Sequence, residues 1–123
     1  MSERRKTQHA NERVLVMDDS LVYRDLIVNH VLKPNGYETL SAADVREGLQ
    51  VALDQKPDLI ITDLRMPRMN GLEMMTALRK AGNNVPVILT TFYGSEQTAI
   101  QAFRLGARDY LVKPYDMEDM LES

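Results

Sequence analysis

A chain of 123 residues is long enough for one core that buries roughly two-thirds of its extended surface. Against 18 Asp and Glu stand 15 Lys and Arg, for a net charge of -3; that balance excludes the basic footprint of a nucleic-acid binder, and no apolar run is long enough to span a membrane. The absence of cysteine excludes disulfides, cysteine-ligated metal and thiol catalysis, and the expected compartment is the cytoplasm.

Met1 to Glu12 is a polar leader containing Arg4, Arg5 and Lys6. It has no apolar segment of the signal-peptide kind, so the expected organisation is a solvated terminus, 1–12, followed by one domain, 13–123. His9 and His30 are isolated, without metal-ligand spacing.

Val14-Leu15-Val16-Met17 reads as a first buried strand and ends on Asp18-Asp19. Ser20 is a cap for a helix whose apolar positions are Val22, Tyr23, Leu26, Ile27 and Val31, with Arg24, Asp25, Asn29 and His30 facing away; Pro34 and Gly36 stop it. Tyr37 to Ala42 is a weaker strand. Asp44 with Glu47 opens a helix carrying Val45, Leu49, Ala52 and Leu53, closed by Lys56-Pro57. Leu59-Ile60-Ile61-Thr62 is the central strand and ends on Asp63, after which Pro67 and Asn70-Gly71 forbid its continuation. Asn70 caps a helix from Leu72 to Lys80, with Gly82 beyond its end.

Pro86 precedes a fourth strand, Val87 to Thr90, and Ser95 opens a helix with Ala99, Ile100, Ala102 and Phe103 inward, ended by Gly106. Asp109 to Val112 is the fifth strand, broken at Lys113-Pro114; Asp116 begins a short last helix with Met117, Met120 and Leu121 on one face. Strands alternating with amphipathic helices imply an α/β domain, a parallel sheet covered on both faces by right-handed crossovers.

Such a sheet places every strand's carboxyl end on one edge, where ligands bind in open α/β folds. Asp18 and Asp19, Asp63, Thr91 and Lys113 all fall there. Two carboxylates about 4 Å apart repel by roughly 4 kcal/mol at an effective dielectric near 20, so the acids must shift their pKa values or hold a cation. Oxygen ligands without Cys or His point to Mg²⁺. Metal, carboxylate, hydroxyl and amine together suit attack of a carboxylate on phosphorus, with Lys113 and Thr91 binding the phosphoryl oxygens and an aspartyl phosphate as product.

Asp18-Asp19, then Asp63-Leu64-Arg65-Met66-Pro67 with Asn70-Gly71, then Thr91, then Tyr110-Leu111-Val112-Lys113-Pro114, in this order and spacing, resemble the response-regulator receiver domains of two-component signalling over Arg13 to Leu121. The resemblance implies a flavodoxin-like, doubly wound (βα)5 fold with a five-stranded sheet of order 2-1-3-4-5; the general rule for such sheets is illustrated by a member of this same family. It implies that Asp63 accepts a phosphoryl group from a sensor histidine kinase or histidine phosphotransfer protein. Asp19, Asp63 and the Arg65 main-chain carbonyl then ligate Mg²⁺, Asp18 acts through a metal-bound water, and Tyr110 turns inward when Thr91 moves. The expectation is a phosphorylation-dependent switch rather than a turnover enzyme, with a phosphorylation-dependent homodimer through the face beside Tyr110. No nucleic acid or membrane is expected as a partner of this segment.

The chain departs from the family pattern at Phe92, where a small residue is usual. Arg65 and Tyr93 add bulk beside Asp63, and all three are expected to modulate access to it. A haloacid-dehalogenase-like phosphatase also forms an aspartyl phosphate, but its nucleophile lies on the first strand with a second Asp two residues on, and position 20 here is Ser. A flavin module would need a glycine-rich phosphate loop where Asp18-Asp19-Ser20 stands. A non-phosphorylated docking module would lack one of the key residues.

Overall fold

In the computed structural model, residues 12–18, 20–42, 44–65, 70–91 and 94–113 are described. Strands and helices alternate as β1 (Arg13–Met17), α1 (Leu21–Leu26), β2 (Glu38–Ala42), α2 (Val45–Gln55), β3 (Leu59–Asp63), α3 (Gly71–Lys80), β4 (Val87–Thr91), α4 (Glu96–Arg104) and β5 (Asp109–Val112). All strands are parallel, in the order β2-β1-β3-β4-β5, the doubly wound flavodoxin-like order expected from the resemblance.

The apolar runs are continuous because both faces of the sheet are covered. On β1, Val14 and Val16 join Ile27, Val28, Val31, Leu32, Ile61 and Ile88 on one face. Leu15 and Met17, pointing the other way, pack with Ile60, Met74, Met75, Leu78 and Leu89. Register then fixes the functional edge: Met17 lies beside Thr62, Asp63 beside Thr90, and Thr91 beside Val112.

Helix starts follow the capping residues. The side chains of Ser20, Asp44, Asn70 and Ser95 each accept a hydrogen bond from the backbone N–H three residues on, and Asn70 with Glu73 completes a reciprocal capping box. Lys56 ends α2 in the left-handed region at φ 48°, which costs a non-glycine residue strain.

Three of the expected apolar faces differ. Val22 is 75% exposed, because at 3.6 residues per turn it lies roughly 140° around the helix from Ile27. After Leu26 the helix passes into a π-helical stretch (Ile27–Leu32) and a 3-10 turn (Lys33–Asn35), burying Ile27, Val28, Val31 and Leu32. On α4, Ile100 and Phe103 are exposed and Ala102 is buried, since the inward stripe runs through Thr98, Ala99, Ala102 and Leu105 instead. Leu53, expected on the apolar face of α2, is also partly exposed. The helix expected from Asp116 lies outside the described residues.

Gly71 begins α3 where the chain leaves the β3 loop, and its N–H donates to the Leu64 carbonyl at 2.8 Å. A Cβ there would stand 2.7 Å from Leu89 Cδ2 and 3.1 Å from the Asp63 carbonyl oxygen. Gly71→Ala is therefore expected to lower stability by about 1–2 kcal/mol through overpacking, despite the better helix propensity of Ala. An unchanged denaturation midpoint would show that α3 shifts without resistance.

Candidate functional site

The carboxyl edge of the sheet gathers Asp18, Asp63, Thr62, Thr90, Thr91 and Lys113, all at 7% exposure or less. Charges at that depth persist only if they satisfy one another. Lys113 Nζ donates to Asp18 Oδ2 at 2.6 Å and to Asp63 Oδ2 at 2.9 Å, so one ammonium bridges two buried carboxylates.

The remaining carboxylate oxygens meet backbone amides. Ser20 N–H donates to Asp18 Oδ1 at 2.9 Å and Arg65 N–H to Asp63 Oδ1 at 3.0 Å. Arg24 Nη1 donates to the Asp18 main-chain carbonyl at 3.1 Å, and the Tyr23 ring centroid lies 4.3 Å from Lys113 Nζ. Pairing of β5 with β4 carries past the strand end, with Lys113 N–H donating to the Thr91 carbonyl at 2.7 Å. This extra rung fixes where the Lys113 stem leaves the sheet. On the other side of β4, Leu64 N–H donates to the Thr90 carbonyl at 2.8 Å and holds the residue after Asp63.

Burial pushes the Asp18 carboxyl above its ordinary range, against the lowering pull of its bonds from Lys113 and Ser20. Burial alone would lower the Lys113 ammonium; the hydrogen bonds and charges of Asp18 and Asp63 outweigh it and hold the group above its ordinary value.

Of the residues singled out in the sequence, the fold unites Asp18, Asp63 and Lys113 directly and sets Thr91 at the neighbouring strand end. Tyr110 is half-buried on β5; its hydroxyl is 2.7 Å from Thr98 Oγ1 and accepts from Ser95 N–H at 3.4 Å. The Arg65 residue is exposed while its amide points at Asp63. Asp19, Phe92 and Tyr93 lie outside the described residues. Tyr23, Arg24 and Thr98 were not foreseen at the site. A signal for the first two existed, since the helix turn following Ser20 must pass over the same edge as Asp18.

Among the described residues no group of three acids or histidines gathers closely enough to hold a metal. What gathers is the Asp18–Asp63 pair, an all-oxygen, buried donor set that fits a hard cation such as Mg²⁺. Among the described residues a cavity of about 600 Å³ opens at the opposite edge, lined in part by Leu53, Lys56, Pro57, Asn83, Val85 and Pro86, away from these charges. No helix among the described residues is long and apolar enough to cross a membrane.

The response regulator receiver domain family matches residues 14–123. Sporulation initiation phosphotransferase F of Bacillus subtilis is 30% identical over 113 residues, covering 92% of this chain and 90% of that protein. Regulatory protein AtoC of Escherichia coli is 35% identical over 111 residues, but the match covers 90% of this chain and 24% of AtoC. Response regulator MprA of Mycolicibacterium vanbaalenii is 36% identical over 109 residues, 89% of this chain and 47% of MprA. The chain thus spans less than half of these two longer relatives. Among solved structures, the receiver domain of the Francisella response regulator 1452 superposes with a TM-score of 0.84 at 31% identity, covering 91% of this chain and 92% of that one. Vibrio cholerae chemotaxis protein CheY4 gives a TM-score of 0.81 at 36% identity, with coverages of 90% and 93%. With the bridged carboxylates at the sheet edge and this breadth of similarity, the chain belongs to the receiver domains of two-component response regulators, a family of phosphorylatable signalling switches that generally uses Mg²⁺.

Proposed function

We propose that Asp63 is the phosphoacceptor of this switch, with the ammonium shared between Asp18 and Asp63 as the observation that carries the reading. A carboxylate oxygen of Asp63 forms a P–O bond as the P–N bond of a phosphohistidine breaks, the electron pair remaining on the imidazole nitrogen. The donor is a sensor histidine kinase or a histidine phosphotransfer protein. Lys113 and Thr91 take the phosphoryl oxygens, positioned by the backbone bond that joins them.

Asp18, Asp19, Asp63 and the Arg65 main-chain carbonyl form the Mg²⁺ site of this reading. The cation, when bound, neutralises charge between the carboxylate and the incoming phosphoryl oxygens. Phe92, Tyr93 and the exposed Arg65 set access to Asp63 and the lifetime of the phosphoryl group. The chain loads and loses one phosphoryl group as a switch rather than turning over a substrate, and its setting is the cytoplasm. Residues 1–12 are a leader and 13–123 the receiver.

Driving such a switch from mostly off to mostly on takes about 5.5 kcal/mol of differential binding. Charge-assisted bonds from Lys113 and Thr91 at roughly 1.5–3 kcal/mol each meet that need. The change then reaches Tyr110, which must break its contact with Thr98 to turn inward. Exposed Ile100, Phe103 and Val112 lie on the elements beside Tyr110 and support a phosphorylation-dependent homodimer.

The test is to incubate the protein with a small acyl phosphate, with Mg²⁺ or with a chelator, and weigh it intact. One added phosphoryl group with Mg²⁺ and none with chelator is the expected result. Loading that ignores Mg²⁺ would remove the metal from the reading, and no loading under any condition would favour a docking module.

A further inference from the structure

Lys113 is held by more than its two carboxylates. Its ammonium lies 4.3 Å from the centroid of the Tyr23 ring, within the range in which a cation is attracted to the negative face of an aromatic ring. The attraction is strongest where water is excluded, and Lys113 is 4% exposed beside Asp18 at 1%.

Tyr23 is placed there by its own anchors. Its backbone N–H donates to the Ser20 hydroxyl at 3.4 Å, Ser20 N–H is bound to Asp18, and the neighbouring Arg24 side chain grips the Asp18 carbonyl. The first turn of α1, Asp18 and Lys113 are thus one connected unit, with the ring as its cover over the ammonium. A lysine head on a four-carbon stem has large rotamer freedom. Its bonds to Asp18 and Asp63 are directional and must be partly given up when the ammonium turns to phosphoryl oxygens, whereas contact with a ring face tolerates that turn.

We propose that Tyr23 is a positioning residue for phosphoryl transfer, its ring face keeping the Lys113 ammonium in the site while the ammonium exchanges carboxylate contacts for phosphoryl oxygens. The inference rests on Asp63 being the phosphoacceptor and adds to that reading a residue one helical turn beyond Ser20. Its chemistry is that of a π face, so the phenol hydroxyl is dispensable and aromaticity is not.

The test compares wild type, Tyr23→Phe and Tyr23→Leu by two measurements. In the protein without donor, the ε-methylene protons of Lys113 are shifted upfield in the NMR spectrum by the ring current; Tyr23→Phe keeps this shift and Tyr23→Leu loses it. In Mg²⁺ with a small acyl phosphate, Tyr23→Leu lowers the loading rate at saturating donor roughly five-fold while Tyr23→Phe stays within about two-fold of wild type. The donor concentration for half-saturation moves less than the rate, because the ring acts through Lys113 and not on the donor. If Tyr23→Leu fails to fold, Tyr23→Met replaces it as the aliphatic variant. Equal loading by wild type and a folded aliphatic variant, or equal loss in the Phe and aliphatic variants, overturns the proposal. A wild-type protein that does not load overturns the phosphoacceptor reading and this inference with it, whereas wild-type loading with an unaffected aliphatic variant overturns this inference alone.

Discussion

Asp63→Asn protein incubated with Mg²⁺ and a small acyl phosphate is expected to keep its unmodified mass, while the wild type gains one phosphoryl group. An amide is not a nucleophile toward phosphorus, yet its shape is that of the carboxylate. The Asn carbonyl oxygen can still accept from Lys113 Nζ or from the Arg65 amide, which in the wild type lie 2.9 and 3.0 Å from the two carboxylate oxygens. The substitution also removes one of the two negative charges that share the ammonium, so no loss of folding stability is expected. A melting temperature at or above that of the wild type, combined with complete loss of loading, assigns the effect to chemistry. The same mass gain in wild type and variant would move the phosphoacceptor elsewhere.

Much of the fold was legible because parallel strands buried on both faces are written as apolar runs, and the runs at Val14, Leu59 and Val87 end where their charged or hydroxyl residues begin. Ser20, Asp44, Asn70 and Ser95 announced their helices because a cap is a local hydrogen bond needing no knowledge of the rest of the chain. Side-chain exposure was less legible. Val22, Leu53, Ile100 and Phe103 are apolar, but only a cross-chain packing partner decides whether an apolar residue is covered. The π-helical stretch after Leu26 shifts the phase of the buried stripe, which a regular 3.6-residue period does not foresee. In the site, the convergence of Asp18, Asp63 and Lys113 followed from the edge on which parallel strands end. For Tyr23 only its place near that edge, in the turn after Ser20, was legible; a tyrosine at an apolar helix position carries no sign of the cation it faces from 90 residues away in sequence.

Lys113→Met is expected to lower stability by about 3 kcal/mol in chelator, a fall in melting temperature of roughly 10 °C. Removing one partner of a buried ion pair leaves an uncompensated charge, and here two carboxylates, Asp18 at 1% and Asp63 at 7% exposure, lose the same cation. Burial already raises Asp18 in the presence of Lys113, so its ionised form works against the fold at neutral pH and depends on the ammonium for relief. The consequence is a non-additive cycle: Asp18→Asn with Lys113→Met should be more stable than Lys113→Met alone, because the charge left without a partner is gone. The pH dependence has a definite sign. The Lys113 ammonium is held above its ordinary value, so its contribution is fully present below the unfolded-state value near pH 10.4 and disappears as pH rises through the raised folded-state value. In chelator the wild type should therefore lose its advantage over Lys113→Met on the alkaline limb, with the two denaturation midpoints converging there. A double variant less stable than Lys113→Met, or midpoints that remain equally far apart at high pH, would show that Lys113 supports the fold through its stem rather than its charge.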